Sequence, residues 1–342
     1  MFINILLLLI GLVLLVKGSD VFVERASRIA KALGISEFVI GLTLVAVGTS
    51  IPEMASSVIA SIKNEPAIII GNIVGSNIAN IGLIVGLSAT IAVITTHVDM
   101  LKRDGYIMLF ISLLAAIFAL LGIISFWAGL FFIFLYLAYV MFLIESKDAR
   151  QEYHFREFII YFFRLQHIIT LKDAMVKNIR RGQKRQKMLS LERELLIDVL
   201  FIIISGAAII LGAKFLVEQS VWLAEAAHIS KHVIGLSLVA IGTSLPELAV
   251  SIAAARKKFG DMLLGNIIGS NIANIAWIMG MSAMIRPIIV PLSEIYSLFL
   301  VMIAFSFLLL YFIKKGWKIT RAEGAILLGL YSIYIIAMFV IG

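Results

Sequence analysis

The chain of 342 residues contains no cysteine. That absence excludes disulfides, thiolate metal sites and all cysteine chemistry. Charge is scarce as well. Asp, Glu, Lys and Arg make up 15% of the residues against 61% hydrophobic, and the mean hydropathy is +1.06. A soluble domain of this length carries far more charge, so the chain reads as an integral membrane protein. The usual signatures of an intramembrane enzyme are also missing. There is no H-E-x-x-H, and no histidine falls deep in an apolar run. Neither a nucleophile–base pair nor a metal triad is available, so the chain is expected to be no enzyme and to need no cofactor.

What is present is a series of apolar runs, each long enough to cross about 30 Å of hydrocarbon. Ten are counted, roughly 2–17, 38–62, 66–93, 105–122, 125–144, 194–216, 232–255, 262–287, 295–313 and 322–341. The first, within "LLLLIGLVLLVKGSD", has no small-residue cleavage site, and no basic region follows Met1, so it reads as a retained span. The net charge of +8 does not point to nucleic acid, because of where the charges lie. Of the 29 Lys and Arg residues, 12 fall in one stretch from Lys147 to Arg193. If that stretch is cytoplasmic, alternating the spans places 25 basic residues inside, leaving only Lys63, Lys214, Lys231 and Arg286 outside. This strong bias puts both termini outside and the 145–193 loop inside a multi-pass cell-membrane protein whose surroundings are the lipid bilayer.

Sliding the chain on itself by 194 residues exposes a repeat. Residues 35–91 fall on 229–285 with 33 of 57 positions identical and no gap. Weaker matches reach back to Gly18/Gly212 and Glu24/Glu218. Each copy holds the second and third spans of a five-span half. Because five is odd, the second half enters the membrane from the opposite side. The expected fold is therefore an all-α membrane protein of ten transmembrane helices, arranged as two inverted five-helix repeats with broken helices at the centre. Its halves are 1–144 and 194–342, joined by the basic loop 145–193. Inverted repeats of this kind are a transporter architecture with the substrate site near the midplane.

The repeat explains an otherwise costly stretch, "VGTSIPEMASS" from Val47 to Ser57. A charged group near the bilayer centre costs about 2.5–3.5 kcal/mol even on the lenient insertion scale. Of 21 acidic residues, only Glu53 and Glu247 lie deep inside spans. Pro52 and Pro246 lack an N–H, so the carbonyls of Gly48 and Gly242 lose their helical partners. Free carbonyls at that depth are tolerated beside a cavity or other protein. Unwound backbone, the hydroxyls of Thr49, Ser50, Thr243 and Ser244, and the two carboxylates together form a hard-oxygen set. Ser76, Asn77, Asn80, Ser270, Asn271 and Asn274, in "GNIVGSNIAN" and "GNIIGSNIAN", offer more oxygen. Such donors suit Ca2+, and also Na+. Two carboxylates across a pseudo-two-fold axis repel unless neutralised by one divalent cation, two monovalent cations or two protons.

"GTSIPE" with "GNIVGSNIAN", repeated as "GTSLPE" with "GNIIGSNIAN", resembles the paired alpha-repeats of the calcium/cation antiporter superfamily, and most closely its sodium/calcium exchanger branch. The resemblance covers nearly the whole chain. It implies a secondary antiporter that exports Ca2+ in exchange for Na+ by alternating access, with Ca2+/H+ or K+-dependent exchange as the alternative and a cation channel behind that. It also implies that Glu53 and Glu247 are ligands shared by Ca2+ and Na+. Thr49, Thr243, Ser50, Ser244, Ser76, Ser270 and the carbonyls of Ala46 and Ala240 would complete the Na+ sites, with Asn80 and Asn274 lining the centre. The first and sixth spans would slide over a fixed core. One position departs from the pattern. Exchangers of this branch carry an aspartate at the position of Asn274, and the neutral residue here makes the centre more symmetric.

Other features read more plainly. Gly75 and Gly269 suit close helix packing. Asn72 and Asn266 are placed either as caps of broken helices or as site residues. His228 and His232, at i, i+4 near Glu225, have zinc spacing but no counterpart in the first half, and read as surface residues. "FREFIIYFFRLQHII" reads as an amphipathic helix on the membrane surface. No segment is long or polar enough for a separate sensing domain, and the chain is expected to act as a monomer.

Overall fold

The computed structural model describes residues 2–32, 49–98, 100–146, 154–164 and 191–341. Twelve helices carry the fold among them: α1 (Phe2–Ala32), α2 (Ile51–Ile62), α3 (Pro66–Ile91), α4 (Met100–Leu120), α5 (Phe126–Ser146), α6 (Phe155–Phe163), α7 (Leu191–Ala227), α8 (Lys231–Thr243), α9 (Leu245–Arg256), α10 (Gly260–Ile285), α11 (Leu292–Gly316) and α12 (Arg321–Ile341). Eight described helices are long and apolar enough to cross a membrane, and the bent pair α8–α9 makes a ninth. The second expected span is described only as α2. Its front half, with Ala46 and the start of the first repeat, lies outside the described residues, as do 147–153 and 165–190 of the basic loop.

Burial sorts the helices into centre and periphery. The apolar windows of α3 and α10 are 94% and 78% buried, whereas those of α1, α7 and α12 are 28%, 28% and 22%. The cause is composition. The outer helices carry Leu, Ile, Val and Phe around their whole circumference, and Phe2, Leu9, Val13, Ile203 and Ile210 are among those left exposed. That is the surface a bilayer covers. The central helices carry small and polar residues that need protein around them. A Cβ added to Gly75 in α3 would lie 2.7 Å from the Leu236 carbonyl oxygen of α8, so only glycine lets these backbones meet. α1 and α7 approach equally closely, since a Cβ on Gly212 would lie 2.6 Å from Leu15 N and 2.7 Å from Gly11 O. The Arg25–Asp198 ion pair at 3.0 Å, with Arg25 over the Phe201 ring, ties the same two helices.

Two short antiparallel ribbons close the ends. β1 (Ile94–Thr95) pairs with β4 (Lys318–Ile319), and β2 (Ile123–Ile124) with β3 (Ile288–Ile289). β1 and β3 are 194 residues apart, so each copy of the repeat leaves its central helix through a ribbon made with the other half of the chain. π-helical stretches interrupt the central helices at Asn80–Val85 and Ala273–Met279, and α8 at Gly235–Val239. Such stretches concentrate at functional positions.

α6 corrects one expectation. Rather than laying its apolar face on lipid, it buries Phe158 and Tyr161 in an aromatic cluster. Phe158 meets Phe142 at 5.5 Å, Phe162 meets Phe131 at 6.1 Å and Phe155 meets Phe110 at 5.6 Å. Edge-to-face ring packing against α4 and α5 outweighs the surface alternative. Phe163 and Arg156 remain exposed.

Candidate functional site

The centre of the molecule is built on two helix starts. α8 and α9 bend by 50° at Ser244, and Pro246 follows in the first turn of α9. Proline removes one backbone donor there, and the chain restarts as a new helix with Ser244 at its cap. α2 begins in the same way, with Ser50 at the cap, Pro52 behind it and similar backbone angles at the cap. Neither serine caps its own helix with its side chain. Instead Ser244 Oγ donates to Glu53 Oε1 at 2.8 Å, and Ser50 Oγ donates to Glu247 Oε1 at 3.3 Å. Each serine therefore serves the carboxylate of the opposite half. Each glutamate sits in the first turn of a short helix, where the positive end of the helix dipole favours an anion.

Both glutamates are only 1% exposed. Their second oxygens, Glu53 Oε2 and Glu247 Oε2, have no hydrogen-bond partner among the described residues. Thr243 and Ser76 face the Glu53 carboxylate, and Thr49 faces that of Glu247. Ser270 Oγ lies 3.3 Å from Ser50 Oγ, within hydrogen-bond reach of it. The Ala240 carbonyl, at the end of the first half of the bent helix, accepts from Ser76 Oγ at 3.5 Å and lies 3.2 Å from Thr243 Oγ1. Nine of the twelve residues expected at the site from the sequence are linked to one another here, Asn80 and Asn274 belong to an asparagine cluster described next, and Ala46 lies outside the described residues.

Asn80 and Asn274 sit where the π-helical stretches of α3 and α10 begin, both 1% exposed. Asn80 Nδ2 donates to Asn271 Oδ1 at 2.9 Å, and Asn274 Nδ2 donates to Asn77 Oδ1 at 3.0 Å. The carboxamide oxygens of Asn80 and Asn274 have no partner among the described residues. Asn77 and Asn271 differ from the expectation. Their side-chain oxygens each accept from one of these two amides. Their own amide groups cross to the other half, Asn77 Nδ2 to Asn271 O and Asn271 Nδ2 to Asn77 O, each at 3.3 Å. The sulfurs of Met302 and Met108, again 194 apart, accept from the same two amides at 3.5 and 3.7 Å.

The sequence leaves Asn72 between a cap and a site residue. It proves to be a tie between elements. Its Nδ2 donates to the Glu53 carbonyl at 3.1 Å and to Ser57 Oγ at 2.9 Å, and its Oδ1 accepts from Thr243 Oγ1 at 3.1 Å. His232 is buried rather than on the surface, and His228 sits just past the end of α7 in a left-handed conformation. Among the described residues no group of three or more His, Asp or Glu gathers as a conventional metal centre. The centre offers two carboxylates and a surround of neutral oxygens, a donor set for hard cations held by few charges.

The family model described as sodium/calcium exchanger protein matches residues 3–145 and 197–340. The chain is 48% identical over 347 residues to sodium/calcium exchanger MaX1 of Methanosarcina acetivorans, covering 99% of each chain. It is 33% identical to the inner membrane protein YrbG of Escherichia coli, covering 97% of this chain and 96% of that one. A solved structure of the sodium-calcium exchanger NCX_Mj, soaked with Na+ and Sr2+, superimposes with a TM-score of 0.63 at 33% identity and covers 98% of each chain. The chain belongs to the sodium/calcium exchanger family.

Proposed function

We propose that the protein is a secondary antiporter that exports Ca2+ in exchange for Na+, with both ions competing for the buried centre between Glu53 and Glu247. The observation that carries this reading is a set of four central, buried oxygens without hydrogen-bond partners among the described residues: Glu53 Oε2, Glu247 Oε2, Asn80 Oδ1 and Asn274 Oδ1. Buried acceptors without donors are costly unless a cation completes them. Two ionised carboxylates bring a charge of −2, which one Ca2+ or two Na+ neutralises. The hydroxyls of Thr49, Thr243, Ser50, Ser244, Ser76 and Ser270, with the carbonyls of Ala46 and Ala240, serve Na+ as neutral ligands.

In this reading the chain forms two inverted five-helix halves, 1–144 and 194–342, with both termini outside and the 145–193 loop in the cytoplasm. Access alternates as α1 and α7, joined at Gly11, Gly212 and the Arg25–Asp198 pair, move over the central helices. The likeness to two sodium/calcium exchangers, MaX1 and NCX_Mj, supports Na+ and Ca2+ as the pair. The test is 45Ca2+ uptake into proteoliposomes under imposed Na+, K+ or H+ gradients. Uptake driven by outward Na+ alone is the expected result. Uptake driven only by H+, or requiring K+, would move the protein to another branch of exchangers, and uptake without any counter-ion gradient would indicate a channel.

A further inference from the structure

We infer that Asn77 and Asn271 are positioning residues that fix which end of the Asn274 and Asn80 carboxamides faces the ion. This rests on the proposed ion site. A carboxamide has two nearly isosteric ends, and only the oxygen end can bind a cation. The choice between them is made one step away from the ion. A backbone carbonyl only accepts, so Asn77 must present Nδ2 to Asn271 O, and Asn271 must present Nδ2 to Asn77 O. That leaves Asn77 Oδ1 and Asn271 Oδ1 as acceptors, which in turn force Asn274 and Asn80 to present Nδ2 to them. The oxygens of Asn274 and Asn80 are then the atoms without partners among the described residues. Met302 and Met108 reinforce the first step, since a thioether accepts and so also selects Nδ2. Every link occurs twice at an offset of 194, and all four asparagines are 1% exposed, so water does not compete for the choice.

The chain of bonds pairs Asn77 with Asn274 and Asn271 with Asn80, never Asn77 with Asn80. A double-mutant cycle reads that pairing directly. Asn274→Leu is expected to raise the KM for Ca2+ in exchange by about a hundredfold, and Asn77→Leu by about tenfold, with little change in kcat for the latter. The double variant Asn77→Leu/Asn274→Leu is expected to match Asn274→Leu alone, while Asn77→Leu/Asn80→Leu multiplies the two single effects. Asn77→Asp with its carboxyl protonated, which keeps an oxygen facing Asn274 Nδ2 and a donor facing Asn271 O, is expected at acid pH to restore the KM to within about threefold of the parent. Multiplicative behaviour in the 77–274 pair, or an Asn77→Asp KM at acid pH as high as that of Asn77→Leu, overturns the inference. If Asn274→Leu and Asn80→Leu themselves leave the KM unchanged, the ion site is what fails, and the inference falls with it. Thermal melts of every variant in detergent accompany the kinetics, and a KM that simply follows the melting temperature also overturns the positioning role.

Discussion

Removing one carboxylate is the sharpest perturbation of the proposed site. In Glu53→Gln the side chain keeps its shape, and its remaining oxygen still accepts from Ser244 Oγ, a bond of 2.8 Å in the parent. The loss is then electrostatic rather than a matter of packing. The group is 1% exposed, so solvent does little to screen the change. Breaking a buried charge pair by removing one partner costs about 3–5 kcal/mol. At about 1.4 kcal/mol per decade, Ca2+ binding should weaken by roughly 10²–10⁴-fold. The amide end of the glutamine adds a donor at the position of the unpartnered Oε2, which works in the same direction. A monovalent ion carries half the charge, so Na+ binding should suffer less than Ca2+ binding. Glu247→Gln should behave alike, because its serine contact and helix-start position repeat those of Glu53. The assay is equilibrium 45Ca2+ binding to purified protein, followed by Na+-driven 45Ca2+ uptake in proteoliposomes. Normal Ca2+ exchange by either variant refutes a shared two-carboxylate site.

Four further outcomes are expected. Three Na+ against one Ca2+ would move one net charge per cycle, worth about 2.3 kcal/mol per 100 mV, so exchange should carry current; potential-independent exchange in ionophore-clamped vesicles would favour electroneutral 2:1 coupling instead. Asn274→Asp should keep the stoichiometry and add a pH dependence near neutrality or below, read from exchange currents against pH, because only a protonated carboxyl replaces the donor that Asn274 gives Asn77 Oδ1. The chain has no cysteine, so Lys63→Cys with Glu218→Cys, at an ion pair of 2.7 Å between α7 and the turn after α2, gives a clean cross-linking pair; a thiol cross-linker there should stop turnover and spare Ca2+ binding, and full turnover after complete cross-linking would exclude motion of α7 over that turn. Gly75→Val should lower the melting temperature through overpacking of about 1–3 kcal/mol against Leu236 and Ala240, and an unchanged melt would show that the two helices can part without cost.

The motif residues are legible because they repeat. An offset of 194 picks out Thr49, Ser50, Glu53, Ser76 and Asn80 together with their partners, and burial of an acid in an apolar run marks the same place by its cost. The role of Asn77 and Asn271 is not legible, although both lie in the repeated motif. Which end of an amide points where depends on a backbone carbonyl in the other half of the chain, and no local pattern encodes that. Met108 and Met302 obey the offset too, but they stand in stretches where the repeat has faded into generic apolar sequence. The docking of α6 is hidden for a related reason. An aromatic-rich run with its charges at one end fits a lipid surface and a protein groove equally well, and only the rings of α4 and α5 decide between them. His232 looks like a surface residue because the turn before it is polar, yet α8 carries it inward.

The two halves repeat their serine–glutamate and asparagine bonds but differ at Asn72 and its counterpart. Asn72 Nδ2 holds the Glu53 carbonyl and Ser57 Oγ. The corresponding atoms in the second half, Asn266 Nδ2 and Ser251 Oγ, are buried without partners among the described residues. The sequence does not require this difference, since Asn72 and Asn266, Ser57 and Ser251, and Glu53 and Glu247 are identical pairs at the same offset. An arrangement with the bonds exchanged would draw on the same residue types at the same spacings, and so would differ little in free energy from the one observed. Alternating access as proposed here needs two such states, close enough in energy that ion binding decides between them. The asymmetry at Asn72 and Asn266 is one place where two such states can differ, since the same residue types stand at the same offset in both halves.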